Sequence, residues 1–328
     1  MALTADKTAD LTILHQIGLQ RFSVGVVKRI RSVLRRMQVD IEAQIRERLS
    51  SGDNAARDAS SFRLSSLLQQ VRSTQGEAHR VIRSEFDREI QEAVAAEADF
   101  ITGMARLQVG TEVSLASVSA QQLEAAVVTH PLQGKTLRQW TAQLETGDVS
   151  RVQGQITMGY LEGESVPQVV RRVRQVATVT ERGAETLVRT SMTHINARAV
   201  ERNAAANPGL FERYQWVSVL DNRTTPVCRA RAGKAFSHGS GPLPPAHAGC
   251  RSTVFSLVPG VGPAEDIGYE DWLKRQDAAT QQDILGAARY KLWKQGGIKL
   301  DGFVDGGRTL TLDQLKARDA AAFQKAGL

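Results

Sequence analysis

Six apolar residues near the amino terminus, Val27, Ile30, Leu34, Met37, Ile41 and Ile45, recur at steps of three and four. That spacing lines them up along one stripe of an α-helix and along no face of a strand. The stripe is narrow and the positions around it are mostly charged or small, so a helix over residues 11–49 cannot bury its own apolar face. It has to pack on another helix of the chain or on a partner. Gly18 and Gly25 mark where a break is expected.

A second stripe follows a polar, small-residue run at 50–61 that reads as a loop. Leu67, Leu68, Val71, Val81, Ile82, Phe86, Ile90, Val94 and Ile101 keep helical spacing between 64 and 107, with an interruption expected at 73–77. Together the two predict an extended helical hairpin that projects from the rest of the molecule. Within it, Lys28, Arg29, Arg31, Arg35 and Arg36 concentrate basic charge with no acid before Asp40. The run reads either as a solvated helix face or as an arm that meets DNA phosphate or an acidic protein surface.

At 108–123 β-branched and small residues replace the charged helix, which places a boundary there and divides the chain into an arm (1–110), a mixed domain (111–260) and a tail (261–328). Ser119 with Gln122 forms a capping-box pattern for a new helix. Helices are expected at 135–146, 148–161 and 165–176, separated by Gly134, Gly147 and Gly163. A further one over 178–206, with Ala184, Leu187, Val188, Ser191 and Ile195 on one face, stops at Asn207-Pro208-Gly209. Trp216–Leu220 and 252–258 then read as two strands that pair. The fold class is α+β and mostly α-helical, with a small antiparallel β-unit carrying a Cys/His loop.

Those loops hold the two cysteines of the 328-residue chain, Cys228 and Cys250, and His247 lies three residues before the second. A chain of this length buries a core without staples, and two cysteines fit folding in a reducing cytoplasm. Cys228, His247 and Cys250 supply three donors where a structural zinc site takes four. Asp221, His238 or a water are the candidates for the fourth, and Thr225 stands where a Cys-x-x-Cys pattern would place another cysteine. No cofactor is demanded, and zinc is the metal such donors would take. A disulfide between the cysteines would contribute roughly 3 kcal/mol by restricting the unfolded chain. A structural knot is the first reading, a metal site the second and catalysis the third. No P-loop, dinucleotide fingerprint, zinc-protease motif or Ser-His-Asp order occurs, so no enzyme is expected. No stretch approaches the length of a membrane span. The net charge of +7 permits contact with nucleic acid or an acidic protein, whereas 5% aromatic residues disfavour a base-stacking single-strand binder.

The ordered series "VRTSMTHINARAVERN", "YQWVSVLDNRTTPVCRARAGKAF" and "PPAHAGCRSTVFSLV" resembles the phage head morphogenesis domain of the Mu protein F type, found in minor head proteins of tailed bacteriophages. Arg189, Thr190, Trp216, Asp221, Arg223, Thr224, Cys228, Gly233, His247, Cys250 and Arg251 fall on that family's motif in order. Some relatives carry further cysteines where this chain has Thr225 and Ser252. The resemblance implies a virion component of the head interior or portal vertex, assembled in the host cytoplasm. Its implied partners are the portal protein, the major capsid protein and, non-specifically, double-stranded DNA. A zinc-stabilised DNA-binding module and a toxin- or nuclease-type effector are the competing readings.

Overall fold

A computed structural model describes residues 3–50, 57–110, 113–218, 224–265, 269–305 and 308–328. Five helices come first: α1 (Ala5–Ser50), α2 (Arg57–Val109), α3 (Ala120–Thr129), α4 (Leu137–Leu161) and α5 (Val166–Ala206). Strands β1 (Arg213–Val217), β2 (Ala235–Ser237) and β3 (Thr253–Leu257) follow, with α6 (Pro226–Arg231) between the first two. The tail holds α7 (Tyr269–Arg275), α8 (Ala278–Leu285), α9 (Ala287–Lys294), a 3-10 turn, the two-residue strands β4 (Val304–Asp305) and β5 (Arg308–Thr309), α10 (Leu312–Arg318) and α11 (Ala320–Lys325). The mostly helical class with a small antiparallel unit is therefore as the sequence indicates.

Gly134 and Gly163 lie between helices as expected, but the other expected breaks do not occur. Gly18 and Gly25 lie inside α1, Gly76 inside α2 and Gly147 inside α4, and 165–176 and 178–206 are one helix, α5. A glycine inside a helix costs about 1 kcal/mol relative to alanine, which burial of the apolar stripe outweighs. Every residue of the first stripe, Val27 through Ile45, is buried.

The chain forms two compact units, and α1, α2 and α5 contribute residues to both. One, 20–96 with 120–195, is entirely helical. Its α1 and α5 run antiparallel, since Arg31 pairs with Glu185 and Glu42 further along α1 pairs with Arg174 earlier on α5. In the same way α4 runs against α2, with Glu145, Asp148 and Gln153 meeting Arg83, His79 and the Leu68 carbonyl in turn. Thr136 and Gln139 close a reciprocal capping box at the start of α4. At the centre the Asp148 carboxylate accepts from Gln75 Nε2 (3.0 Å), His79 Nε2 (3.0 Å) and Thr180 Oγ1 (2.6 Å). Burial acts to raise its pKa, but these hydrogen bonds prevail and hold it below the ordinary aspartate value.

The other unit, 1–19, 97–119 and 196–328, holds the sheet. Its order is β2-β1-β3, antiparallel throughout, with Trp216 opposite Val254 and Val217 opposite Thr253. The pairing of the two expected strands is present, although β1 starts at Arg213 and β2 joins the far edge. Val217, Phe255 and Leu257 share a core with Ala9 and Ile13 of α1 and with Trp272, Leu292, Phe303 and Phe323 of the tail. Beneath the sheet, Glu97 of α2 bonds His15 of α1 and accepts from Asn196 of α5 (3.1 Å), which in turn accepts from Thr253 of β3 (2.7 Å).

Candidate functional site

The cysteine loops are built at the end of the sheet where β1 finishes and β3 begins. Past β1, Pro226 occupies the first turn of α6, where its missing N–H costs nothing, and Cys228 follows two residues later. Gly233 (φ +76°) then turns the chain, donating its N–H to the Trp216 carbonyl (2.9 Å), while Trp216 N–H donates to the Lys234 carbonyl (2.9 Å). Trp216 itself is fully buried; its indole N–H donates to Ser218 Oγ (2.8 Å), which donates to the Cys228 carbonyl (3.1 Å) and meets Ser252 Oγ at 2.9 Å. Arg231 lies over the indole face at 5.1 Å. On the second loop Gly249 (φ +72°) lets Cys250 N–H reach back to the His247 carbonyl (3.1 Å).

The loops converge on three donors. Cys228 Sγ lies 3.7 Å from Cys250 Sγ and 3.3 Å from His247 Nε2, and the three ligand atoms lie within 4.8 Å of one another. Both cysteines are buried and not joined in a disulfide, and His247 is half-buried. A disulfide would require the sulfurs to close to ~2.05 Å. Two thiolates at ~2.3 Å from a tetrahedral ion stand about 3.8 Å apart, and a thiolate and an imidazole nitrogen about 3.6 Å. The two separations from Cys228 lie near that spacing. His247 Nδ1 contacts the Ala248 carbonyl (2.9 Å), which turns Nε2 toward the sulfurs, where it can donate to a Cys228 thiolate in the metal-free cluster or offer its lone pair to an ion. The cluster could thus hold a metal ion.

Its electrostatics favour a thiolate. The Cys250 thiol first, then the Ser252 and Thr225 hydroxyls and His247, stabilise the charged form of Cys228 against burial and hold its thiol well below the ordinary range. Cys250 is pushed up by the Cys228 sulfur beside it and by burial. Sequence spacing had no means of marking Ser218, the hydroxyl that joins Trp216 to the Cys228 backbone.

Among the other expected residues, Thr224 accepts from Arg229 through its carbonyl (3.1 Å), and Asp221 and Arg223 lie outside the described residues. Arg251 is half-buried beside Cys250 in the chain. Arg189 pairs with Glu185 (2.9 Å) and Thr190 donates to the Thr186 carbonyl, both within the helical unit. His238 is not the fourth ligand. Its Nδ1 contacts Glu201 Oε2 (2.9 Å) and its Nε2 contacts Ser256 Oγ (3.1 Å), which occupies both ring nitrogens away from the sulfurs. This Glu-His-Ser order has the connectivity of a hydrolytic relay, yet Ser256 is only 3% exposed and cannot be reached by a substrate. Burial works to raise the Glu201 pKa, but His238 and the Gly239 N–H lower it further, so the carboxyl sits below the ordinary glutamate value.

The basic run is divided. Arg29 turns to Glu85 and Glu89 of α2, whereas Lys28, Arg31, Arg35 and Arg36 line a groove in the helical unit together with Arg189.

A mostly helical scaffold with a small sheet thus brings Cys228, His247 and Cys250 together in one cluster. Residues 150–255, from the middle of α4 through β3, match the family model described as Phage Mu protein F like protein, which bears out the resemblance read from the sequence. No curated protein matches the chain, and no solved structure does.

Proposed function

We propose that this chain is a minor head protein of a tailed bacteriophage, acting as a structural component in head morphogenesis and not as an enzyme. The single observation that carries the reading is the family match over 150–255, which covers α5, the sheet and all three donors of the cluster. In this reading the protein resides in the virion, at the portal vertex or head interior, and meets the portal and major capsid proteins. Residues 1–110 offer the docking surface, and any contact with packaged DNA is non-specific and falls steeply with salt. Coexpression with the portal and capsid proteins of the same phage genome tests it. The chain should copurify with them and be found in purified virions, and its absence from virions would overturn the assignment.

The cluster is proposed to hold a zinc ion as a structural centre. Cys228 and Cys250 would bind as thiolates and His247 through Nε2, with a water completing the four ligands. Such an ion would tie the α6 loop to the strand that follows Cys250 and supply no turnover. Protein purified without chelator should contain about one zinc per chain. The Cys228→Ser/Cys250→Ser variant should contain none. A metal-free protein whose melting temperature does not respond to added zinc would exclude the centre.

A further inference from the structure

The groove on α1 carries a second reading that rests on its own residues and not on the family match. It encloses about 790 Å³, with Val24, Val27, Lys28, Arg31, Arg35, Arg36 and Val39 on one wall and Glu185 and Arg189 of α5 on the other. Along α1, Val24, Lys28, Arg31, Arg35 and Val39 follow one another at steps of four, three, four and four, so they form a single outward stripe about 22 Å long. Its two ends are aliphatic and uncovered, Val24 at 53% and Val39 at 64% exposure.

The centre of the stripe is cationic and only partly neutralised. Arg31 and Arg189 are tied to Glu185, and Arg35 reaches Glu181 only at 3.7 Å. Among the described residues the side chains of Lys28 and Arg36 meet no carboxylate, hydrogen-bond acceptor or ring. A surface made for DNA phosphate has no use for exposed valines at both ends, and Glu185 and Asp40 on its walls would repel the backbone. An α-helix of about four turns fits the length, its own apolar residues covering Val24 and Val39 and its acids meeting Lys28, Arg35 and Arg36.

We propose that this groove is the docking site for an acidic amphipathic helix of a partner protein, held by the two valines at its ends and by the cationic stretch between them. Selection of a randomised peptide library of about 18 residues against the full chain, with counter-selection on the Lys28→Glu/Arg36→Glu variant, tests it. The binders should converge on helical peptides with central Asp and Glu flanked by apolar residues. A chosen binder should lose at least about tenfold in affinity, some 1.4 kcal/mol, to Lys28→Glu/Arg36→Glu and separately to Val24→Asp/Val39→Asp. These positions are exposed, so unchanged circular dichroism and melting temperature would confirm that both variants are folded. The proposal fails if no peptide discriminates the charge variant, or if the binders show no acidic preference. It also fails if a duplex of about 20 base pairs occupies the groove regardless of the valines, or if the four residues instead govern self-association.

Discussion

Each of the two units has a buried carboxylate that joins three helices, and the two differ in what completes the arrangement. In the helical unit, Asp148 on α4 gathers Gln75 and His79 from α2 and Thr180 from α5. In the sheet-bearing unit, Glu97 on α2 gathers His15 from α1 and Asn196 from α5, and the chain of bonds runs on to Thr253 of β3. Apolar stripes of Ile, Leu and Val tolerate sliding by a turn, because one aliphatic row fits a neighbouring row almost as well. A buried carboxylate does not tolerate it, since every displaced donor leaves an uncompensated charge. The contrast suggests that register is fixed within the helices alone in one unit, and jointly for helices and sheet in the other.

The strongest challenge to that comparison is Asp148→Ala, which should lower the stability of the helical unit by about 3–5 kcal/mol in urea titration because three buried groups lose their shared acceptor. A loss under 1 kcal/mol would show that packing alone sets the register. Acid should expose the same group. Its folded pKa lies below the unfolded value, so its contribution is complete above about pH 4 and is lost as pH falls through the folded pKa. Stability of Asp148→Asn should therefore vary less with pH in that window than stability of the parent chain.

A smaller effect is expected in the sheet-bearing unit. Replacing Cys228 and Cys250 together by serine should cost about 2 kcal/mol in metal-free protein, because two buried sulfurs become hydroxyls in a cluster already supplied with them. Glu201→Gln should cost about 1 kcal/mol and leave the metal content unchanged, as measured by thermal unfolding and elemental analysis, since His238 belongs to a separate network. The smallest effect should come from Glu42→Gln. Arg174 first, with Gln38 and Arg46, holds the Glu42 carboxyl down to about 2, yet both arginines are more than half exposed and the loss should stay under about 1 kcal/mol.

Some of this was legible in the residues. The stripe from Val27 to Ile45 names a buried helix face, Asn207-Pro208-Gly209 ends α5, and the paired strands bring Cys228 and Cys250 together. Gly18, Gly25, Gly76 and Gly147 misled, because local propensity carries no knowledge of tertiary burial. Gly159 shows a further reason for one to be kept, since a Cβ there would stand 2.8 Å from Val169 Cγ2. Strand β1 was misplaced by three residues because Tyr214, Gln215, Trp216 and Val217 are all buried and show no alternation. The partners of His238 were out of reach for a different reason. Glu201 precedes it by 37 residues on α5 and Ser256 follows by 18 on β3, so the three come from different elements and no periodicity within one element relates them.

The make-up of the units also orders events during synthesis. Everything in the helical unit has been translated once Ile195 is added, whereas the sheet-bearing unit takes in 1–19 and 97–119 together with 196–328. At ~5–20 residues per second the ribosome needs on the order of ten seconds more to deliver that last stretch. During this interval Ala9 and Ile13 exist without Phe255 or Trp272. Residues made early are thus among the last to find their partners, so the nascent chain carries an unfinished segment of α1 that a chaperone has time to hold.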